Sequence, residues 1–203
     1  MTLANRITMA RMGLSLVIFA LIISKTFWAE VAALALLTIA SISDGVDGAI
    51  ARRTGTTTPF GAIADPFADK ILVMSVFLAF ASIRELAVPL WAVFLILLRE
   101  LTISTLRVLA ALHGEVMKAE RTGKIKTTVQ MTSAFIILVL LVLRYWARSG
   151  PLPWAPLADL AALARPAAWW LTVITAFFTL VSGAFYLYNH RALLYKSWGE
   201  RGR

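Results

Sequence analysis

Long uncharged apolar runs, broken by short charged or turn-forming segments, dominate the chain. Ala167–Asn189 is uncharged throughout, and Thr127–Leu143 comes close to the same length. Shorter runs occupy Met12–Ser24, Val31–Ser43, Ile71–Ile83 and Leu86–Leu98. A helix that crosses hydrocarbon needs roughly 20 mostly apolar residues. The shorter runs reach that length only if a few charged residues enter the membrane or snorkel at its edge. The pattern predicts an all-α polytopic membrane protein with six transmembrane helices, near 8–27, 30–52, 64–84, 87–112, 124–146 and 167–189. Buried helices of a soluble protein also give short apolar runs, but six in succession with almost no amphipathic helix between them argue against that reading. Arg6 and Arg11 ahead of an apolar run resemble a secretory leader. Glu30 stands where a small-residue cleavage pattern would be sought, so the first helix is expected to be retained. No internal repeat or compositional break divides residues 1–203, which are expected to form one membrane domain.

Composition sharpens this picture. Hydrophobic residues make up 60% of the 203 positions and charged residues 15%, too little polar surface to cover a soluble globule. The absence of cysteine removes disulfides and thiolate metal sites. Net charge is nevertheless +9, which suits nucleic acid or an anionic membrane surface. The basic residues divide by loop parity. Thirteen of the 20 flank the two ends and the even-numbered loops, and five flank the other side. The positive-inside rule then places both termini in the cytoplasm of a bacterial-type cell membrane. It also makes the Pro-rich segment Gly150–Pro166 an outside loop. A nucleic-acid partner is not expected, because such a protein would gather its bases into one exposed groove.

The acidic residues are more informative. Four of the 11 fall within 26 positions: Asp44, Asp47, Asp65 and Asp69. Asp44 and Asp47 are i,i+3 on the second helix; Asp65 and Asp69 are i,i+4 on the third. Each pair shares a helix face. Asp44 lies about 12 Å along the helix from Arg52, so the four carboxylates are expected to face one another in a cavity open to the cytoplasm. Carboxylates this close repel unless cations sit among them. Hard oxygen donors suit Mg²⁺ or Mn²⁺, and two such ions are the usual apparatus for displacement at phosphorus. A cation or proton pathway would also gather acids inside a membrane. Gly48 and Ala51 lie near the Asp44 face; they leave room for a ligand, or equally allow close helix packing.

The string Asp44-Gly-Val-Asp47-Gly48-Ala-Ile-Ala51-Arg52, then eight residues, Gly61, three residues, Asp65, three residues and Asp69 resembles the CDP-alcohol phosphotransferase signature at every fixed position. The resemblance implies a six-helix membrane enzyme, usually a homodimer, that moves a phosphatidyl-type group from a CDP-linked lipid to an alcohol and releases CMP. It implies that Asp44, Asp47 and Asp65 are ligands of a two-ion Mg²⁺ or Mn²⁺ site. Asp69 would be the general base and also a contact to the metals. Gly48, Ala51, Arg52 and Gly61 would shape the CDP site.

Further motifs resemble the phosphatidylglycerophosphate synthase branch of that family. They are Asn5-x2-Thr8-x2-Arg11, Asp65-Pro-Phe-Ala-Asp69-Lys70, Arg99-Glu100 with Arg107, and Gly123-Lys124-x-Lys126-Thr-x2-Gln130-Met131. This implies CDP-diacylglycerol as donor, with Asn5, Thr8 and Arg11 near the nucleotide, and glycerol 3-phosphate as acceptor. Cardiolipin synthases share the aspartate signature and are the alternative, together with other members of the family that use a different acceptor alcohol. Helical spacing adds that Glu100, Ser104 and Arg107 fall within about 60° of one another on the fourth helix. Lys126, Gln130 and Ser133 do the same on the fifth. Such polar stripes belong in the bundle interior. Arg107, Lys124 and Lys126 are the expected contacts to the acceptor phosphate. A structural ion pair that locks helices is an equal reading of Arg99, Glu100 and Arg107.

Overall fold

A computed structural model describes residues 3–54, 59–112, 121–149 and 155–191. Within those ranges the side chains of 3–7, 44–54, 59–66, 69, 111–112, 121–122, 149 and 155–157 fall outside the description. Among the described residues the chain is all-helical, without a strand. The helices are α1 (Leu3–Ile23), α2 (Phe27–Thr54), α3 (Pro59–Ser82), α4 (Leu90–Leu112), α5 (Arg121–Ser149), α6 (Ala155–Ala162) and α7 (Ala164–Asn189), with a 3₁₀ turn at Arg84–Leu86. Six of the seven match the apolar segments expected from sequence.

The exception is α6, inside the segment expected to be an outside loop. Its four prolines suggested a break, but a proline in a first turn forfeits no intrahelical hydrogen bond. Pro156 is the second residue of α6, ahead of Leu, Ala, Asp, Leu and Ala, and Pro166 lies in the first turn of α7. Both helices therefore tolerate their prolines, and α6 packs against α5 and α7. The other connections are tight. Lys25 takes φ 56° between α1 and α2, and Ala87 takes φ 50° after the 3₁₀ turn. Both are left-handed positions, where a side chain costs about 1 kcal/mol.

On length and composition, Gly123–Arg148 and Ala164–Asn189 are long and apolar enough to cross a membrane. Thr8–Ile23, Phe27–Ser43 and Lys70–Ser82 are shorter apolar stretches. α4, 23 residues long, carries Arg99, Glu100 and Arg107 within its run.

Burial explains how such a chain folds. α3 packs against α1, α4 and α5, and α5 packs also against α2 and α7. The core between them holds Ile18, Leu37, Val76, Phe77, Phe80, Ile96, Ile137 and Leu141. Phe77 and Phe80 meet edge-to-face with centroids 6.1 Å apart. Large apolar side chains also cover the outside, among them Leu16, Ile42, Phe94, Phe177 and Phe185. Meanwhile Thr8, Arg11, Ser15, Glu30, Glu100, Lys126, Gln130, Ser133 and five polar residues are buried, four of them on α7. Polar inside and apolar outside is the arrangement of a bundle whose solvent is hydrocarbon. The chain is a membrane protein on this distribution.

Phe77→Ala removes a fully buried ring and is expected to cost about 3 kcal/mol. Phe177→Ala, on the outer face, is expected to stay within about 0.5 kcal/mol. Unfolding of the two variants in detergent micelles checks the contrast.

Candidate functional site

The polar interior is organised around one carboxylate. Glu100, on α4, is 1% exposed. Its Oε2 lies 2.7 Å from Lys70 Nζ of α3. Its Oε1 accepts a hydrogen bond from Lys126 Nζ of α5 and lies 3.3 Å from Arg99 Nη1. Arg99 Nη2 in turn donates to Ser182 Oγ of α7 at 3.1 Å. A single buried charge therefore ties four helices together.

The geometry of α7 makes room for this. A Cβ at Gly183 would stand 2.9 Å from Arg99 Cγ, so the bare backbone there is the groove along which the arginine stem runs. Thr175 Oγ1 donates to Ser133 Oγ at 3.0 Å and joins α7 to α5. With the Glu100 connections this fixes α5 and α7 as antiparallel: Ser133 faces Thr175, and Lys126 lies toward the Ser182 end. Farther along, Arg107 Cζ sits 5.8 Å from the Tyr186 ring centroid. Tyr186 stacks on His190 at 4.4 Å, and the His190 ring is 2.9 Å from the Tyr186 carbonyl, closing the end of α7.

Lys70, Arg99 and Lys126 bring three basic groups to this one carboxylate.

The expected site residues divide into two groups. Lys126 is buried, as its helical stripe requires, but its ammonium is engaged by Glu100. The α4 stripe thus contains the helix-locking ion pair. Arg107 and Lys124 are exposed on their helices. Thr8 and Arg11 are buried with Ser15 on one face of α1, which packs against α2 and α3. Asn5, Asp44, Asp47, Gly48, Ala51, Arg52, Gly61, Asp65 and Asp69 lie outside the residues whose side chains are described. Their backbones are helical: Asn5 in α1, Asp44 through Arg52 in α2, and Gly61 through Asp69 in α3.

Sequence reading missed the role of Lys70 as a Glu100 partner and the whole polar stripe of α7. The stripe was legible. Thr172, Thr175, Thr179, Ser182 and Tyr186 recur at three- and four-residue steps in an otherwise apolar helix, and all five are buried.

Comparison with known proteins completes the description. The profile of the CDP-alcohol phosphatidyltransferase family matches residues 1–181. A CDP-diacylglycerol–glycerol-3-phosphate 3-phosphatidyltransferase of Bacillus subtilis (strain 168) is 34% identical over 197 residues, which cover 89% of this chain and 91% of that protein. A probable phosphatidylglycerophosphate synthase of Mycobacterium tuberculosis (strain ATCC 25618 / H37Rv) is 40% identical over 147 residues, 72% of this chain and 63% of its own length. A cardiolipin synthase (CMP-forming) of Oryza sativa subsp. japonica is 32% identical over 153 residues, 68% of this chain and 46% of its own length.

Removing the central carboxylate takes its counter-charge from the buried Lys126. Glu100→Gln is expected to cost about 3–5 kcal/mol. Lys126→Met alone should cost less, because Lys70 and Arg99 still pair with Glu100. The double variant should recover part of the Glu100→Gln loss. A double-mutant cycle on unfolding in detergent measures the coupling.

Proposed function

The chain belongs to the CDP-alcohol phosphatidyltransferase family, and from that premise we propose that it transfers the phosphatidyl group of CDP-diacylglycerol to sn-glycerol 3-phosphate. The products are phosphatidylglycerophosphate and CMP. The observation that carries this reading is the similarity to the Bacillus subtilis relative, which runs along about nine-tenths of both chains. The basic groups gathered at Glu100 support it, because the acceptor brings a phosphate dianion into the bundle.

In this reading residues 1–203 form one domain with six spans, α1–α5 and α7, both termini are cytoplasmic, and the enzyme works as a homodimer in the lipid bilayer. The parity of the basic residues supports the orientation. Asp44, Asp47, Asp65 and Asp69 would hold two divalent ions, Mg²⁺ or Mn²⁺, which when bound offset charge on the pyrophosphate and on the departing CMP. Asn5, Thr8, Arg11, Gly48, Ala51, Arg52 and Gly61 receive the CDP moiety. Arg107, Lys124 and Lys126 attract the acceptor phosphate. For Lys126 the pairing with Glu100 makes this a contribution of field as well as contact.

The chemistry is a displacement at phosphorus. The Asp69 carboxylate takes the proton of the acceptor's primary hydroxyl. The freed oxygen forms a bond to the β-phosphorus of the liponucleotide, and the bond from that phosphorus to the CMP oxygen breaks. CMP leaves with the electron pair, and the phosphatidyl group remains on the acceptor. Exclusion of water by the apolar shell protects the liponucleotide from hydrolysis.

The rice relative favours one second reading, in which phosphatidylglycerol is the acceptor and cardiolipin the product.

Purified protein with Mg²⁺ and labelled glycerol 3-phosphate should place label in the lipid extract only when CDP-diacylglycerol is present. Chelation with EDTA should remove the activity, and excess Mg²⁺ or Mn²⁺ should restore it. Asp69→Asn should lower kcat by at least about 100-fold, a typical general-base contribution. No lipid label from folded protein would contradict the proposal.

A further inference from the structure

At the end of the bundle away from the aspartates, Ala87, Arg165, Pro166, Trp169 and Trp170 line one open cavity of about 400 Å³. Ala87 closes the 3₁₀ turn that follows α3, and the other four residues stand on the first two turns of α7. About 20 Å of helix separates Asp69 from the end of α3, so the cavity is no part of the proposed reaction site.

Its chemistry is mixed. Arg165 is the one charged residue of the lining and is exposed, and among the described residues none pairs with it. Glu85, on the neighbouring turn, lies within electrostatic reach of Lys25, Arg144 and Arg148 instead. The Trp169 and Trp170 rings meet edge-to-face with centroids 4.7 Å apart and form an aromatic wall. Each indole N–H is a further donor. Tryptophan favours the headgroup level of a bilayer, and a guanidinium there matches the oxygens of a phosphate.

Beyond the cavity the surface of α7 is apolar. Trp170, Ile174, Phe177 and Val181 recur at three- and four-residue steps and are all exposed, so they form one outward stripe. The stripe runs about 16 Å, close to half of a hydrocarbon core about 30 Å thick. A lipid-facing helix by itself accounts for the stripe, but not for an uncompensated guanidinium in a cavity at its head.

We infer that the cavity and the stripe bind one phospholipid with an anionic headgroup, in the leaflet opposite the aspartates. Arg165 and the indole N–H groups hold its phosphate, and an acyl chain lies along Trp170–Val181. A net-anionic headgroup suits the cavity because no described acid lines it to receive the ammonium of a zwitterionic one. The bound lipid bridges the turn at Ala87 and the start of α7, which pack together, and so braces the connection between α3 and α4. The inference needs the chain to lie in a membrane; it does not depend on the identity of the acceptor.

The test uses the full chain in neutral detergent, stripped of lipid, with dioleoyl-phosphatidylglycerol as the probe. Arg165→Gln removes the charge from the cavity. Arg148→Gln removes another exposed arginine from the same end of the bundle, outside the cavity. Native mass spectrometry should show the Kd for the lipid rising about tenfold in Arg165→Gln and staying within about twofold in Arg148→Gln. A ligand of the folded state raises the melting temperature, so the lipid should stabilise the parent and Arg148→Gln more than Arg165→Gln. Equal binding by the parent and Arg165→Gln overturns the inference. So does an equal loss in both arginine variants, which would assign the lipid to diffuse surface charge. Dioleoyl-phosphatidylcholine binding as tightly as phosphatidylglycerol overturns it as well, and so does inorganic phosphate binding as tightly as the lipid, because the stripe would then contribute nothing.

Discussion

A carboxylate buried among apolar helices has to be answered by cations, and Glu100 answers that constraint with three. Lys70 arrives from α3, Lys126 from α5 and Arg99 from the neighbouring position on α4, and Arg99 carries the connection on to Ser182 of α7. In water such a cluster would be worth little. In a hydrocarbon-facing bundle the alternative is an unpaired charge, so the helices are held in the one register that keeps all four groups in contact. The rest of the interior follows. α5 and α7 lie antiparallel with Ser133 against Thr175, and Gly183 yields its side-chain space to Arg99.

The same constraint connects fold to function. The basic groups gathered at Glu100 stand on the same helices, α3, α4 and α5, that the proposed reaction uses. A membrane enzyme that joins a lipid donor to a water-soluble phosphorylated acceptor needs such a polar chamber inside an apolar shell, and the buried polar and exposed apolar side chains of this bundle provide that division. The enzymatic reading of the aspartate motif accounts for the fixed positions of Arg52 and Gly61, which a cation pathway leaves unexplained, and family membership agrees with it.

Much of this was legible in the sequence because lipid imposes simple rules. Apolar runs located the helices to within a few residues, and helical spacing identified Glu100, Lys126, Gln130 and Ser133 as interior positions before any contact was known, whereas Arg107 of the same α4 stripe is exposed. Partners were less legible. Lys126 was read as a substrate contact because spacing reveals which face a residue occupies, not what stands opposite. Its link to Glu100 spans 26 residues and depends on how α4 and α5 pack. α6 was hidden because prolines read as breakers, although a first-turn proline is compatible with a helix. The α7 stripe was overlooked for a different reason. It contains no charge, and threonine and serine in a membrane helix often only bond back to their own carbonyl, as Thr172 does to Ala168. Only the packing shows that Thr175 instead reaches Ser133 and that Ser182 holds Arg99.

The central claim is the identity of the acceptor, and it is tested most directly by measuring CMP release from CDP-diacylglycerol with acceptors offered one at a time. The account predicts release with glycerol 3-phosphate, in equal amount to the phosphatidylglycerophosphate formed, and little with glycerol or phosphatidylglycerol. Release that depends on phosphatidylglycerol, with glycerol 3-phosphate inert, would contradict it.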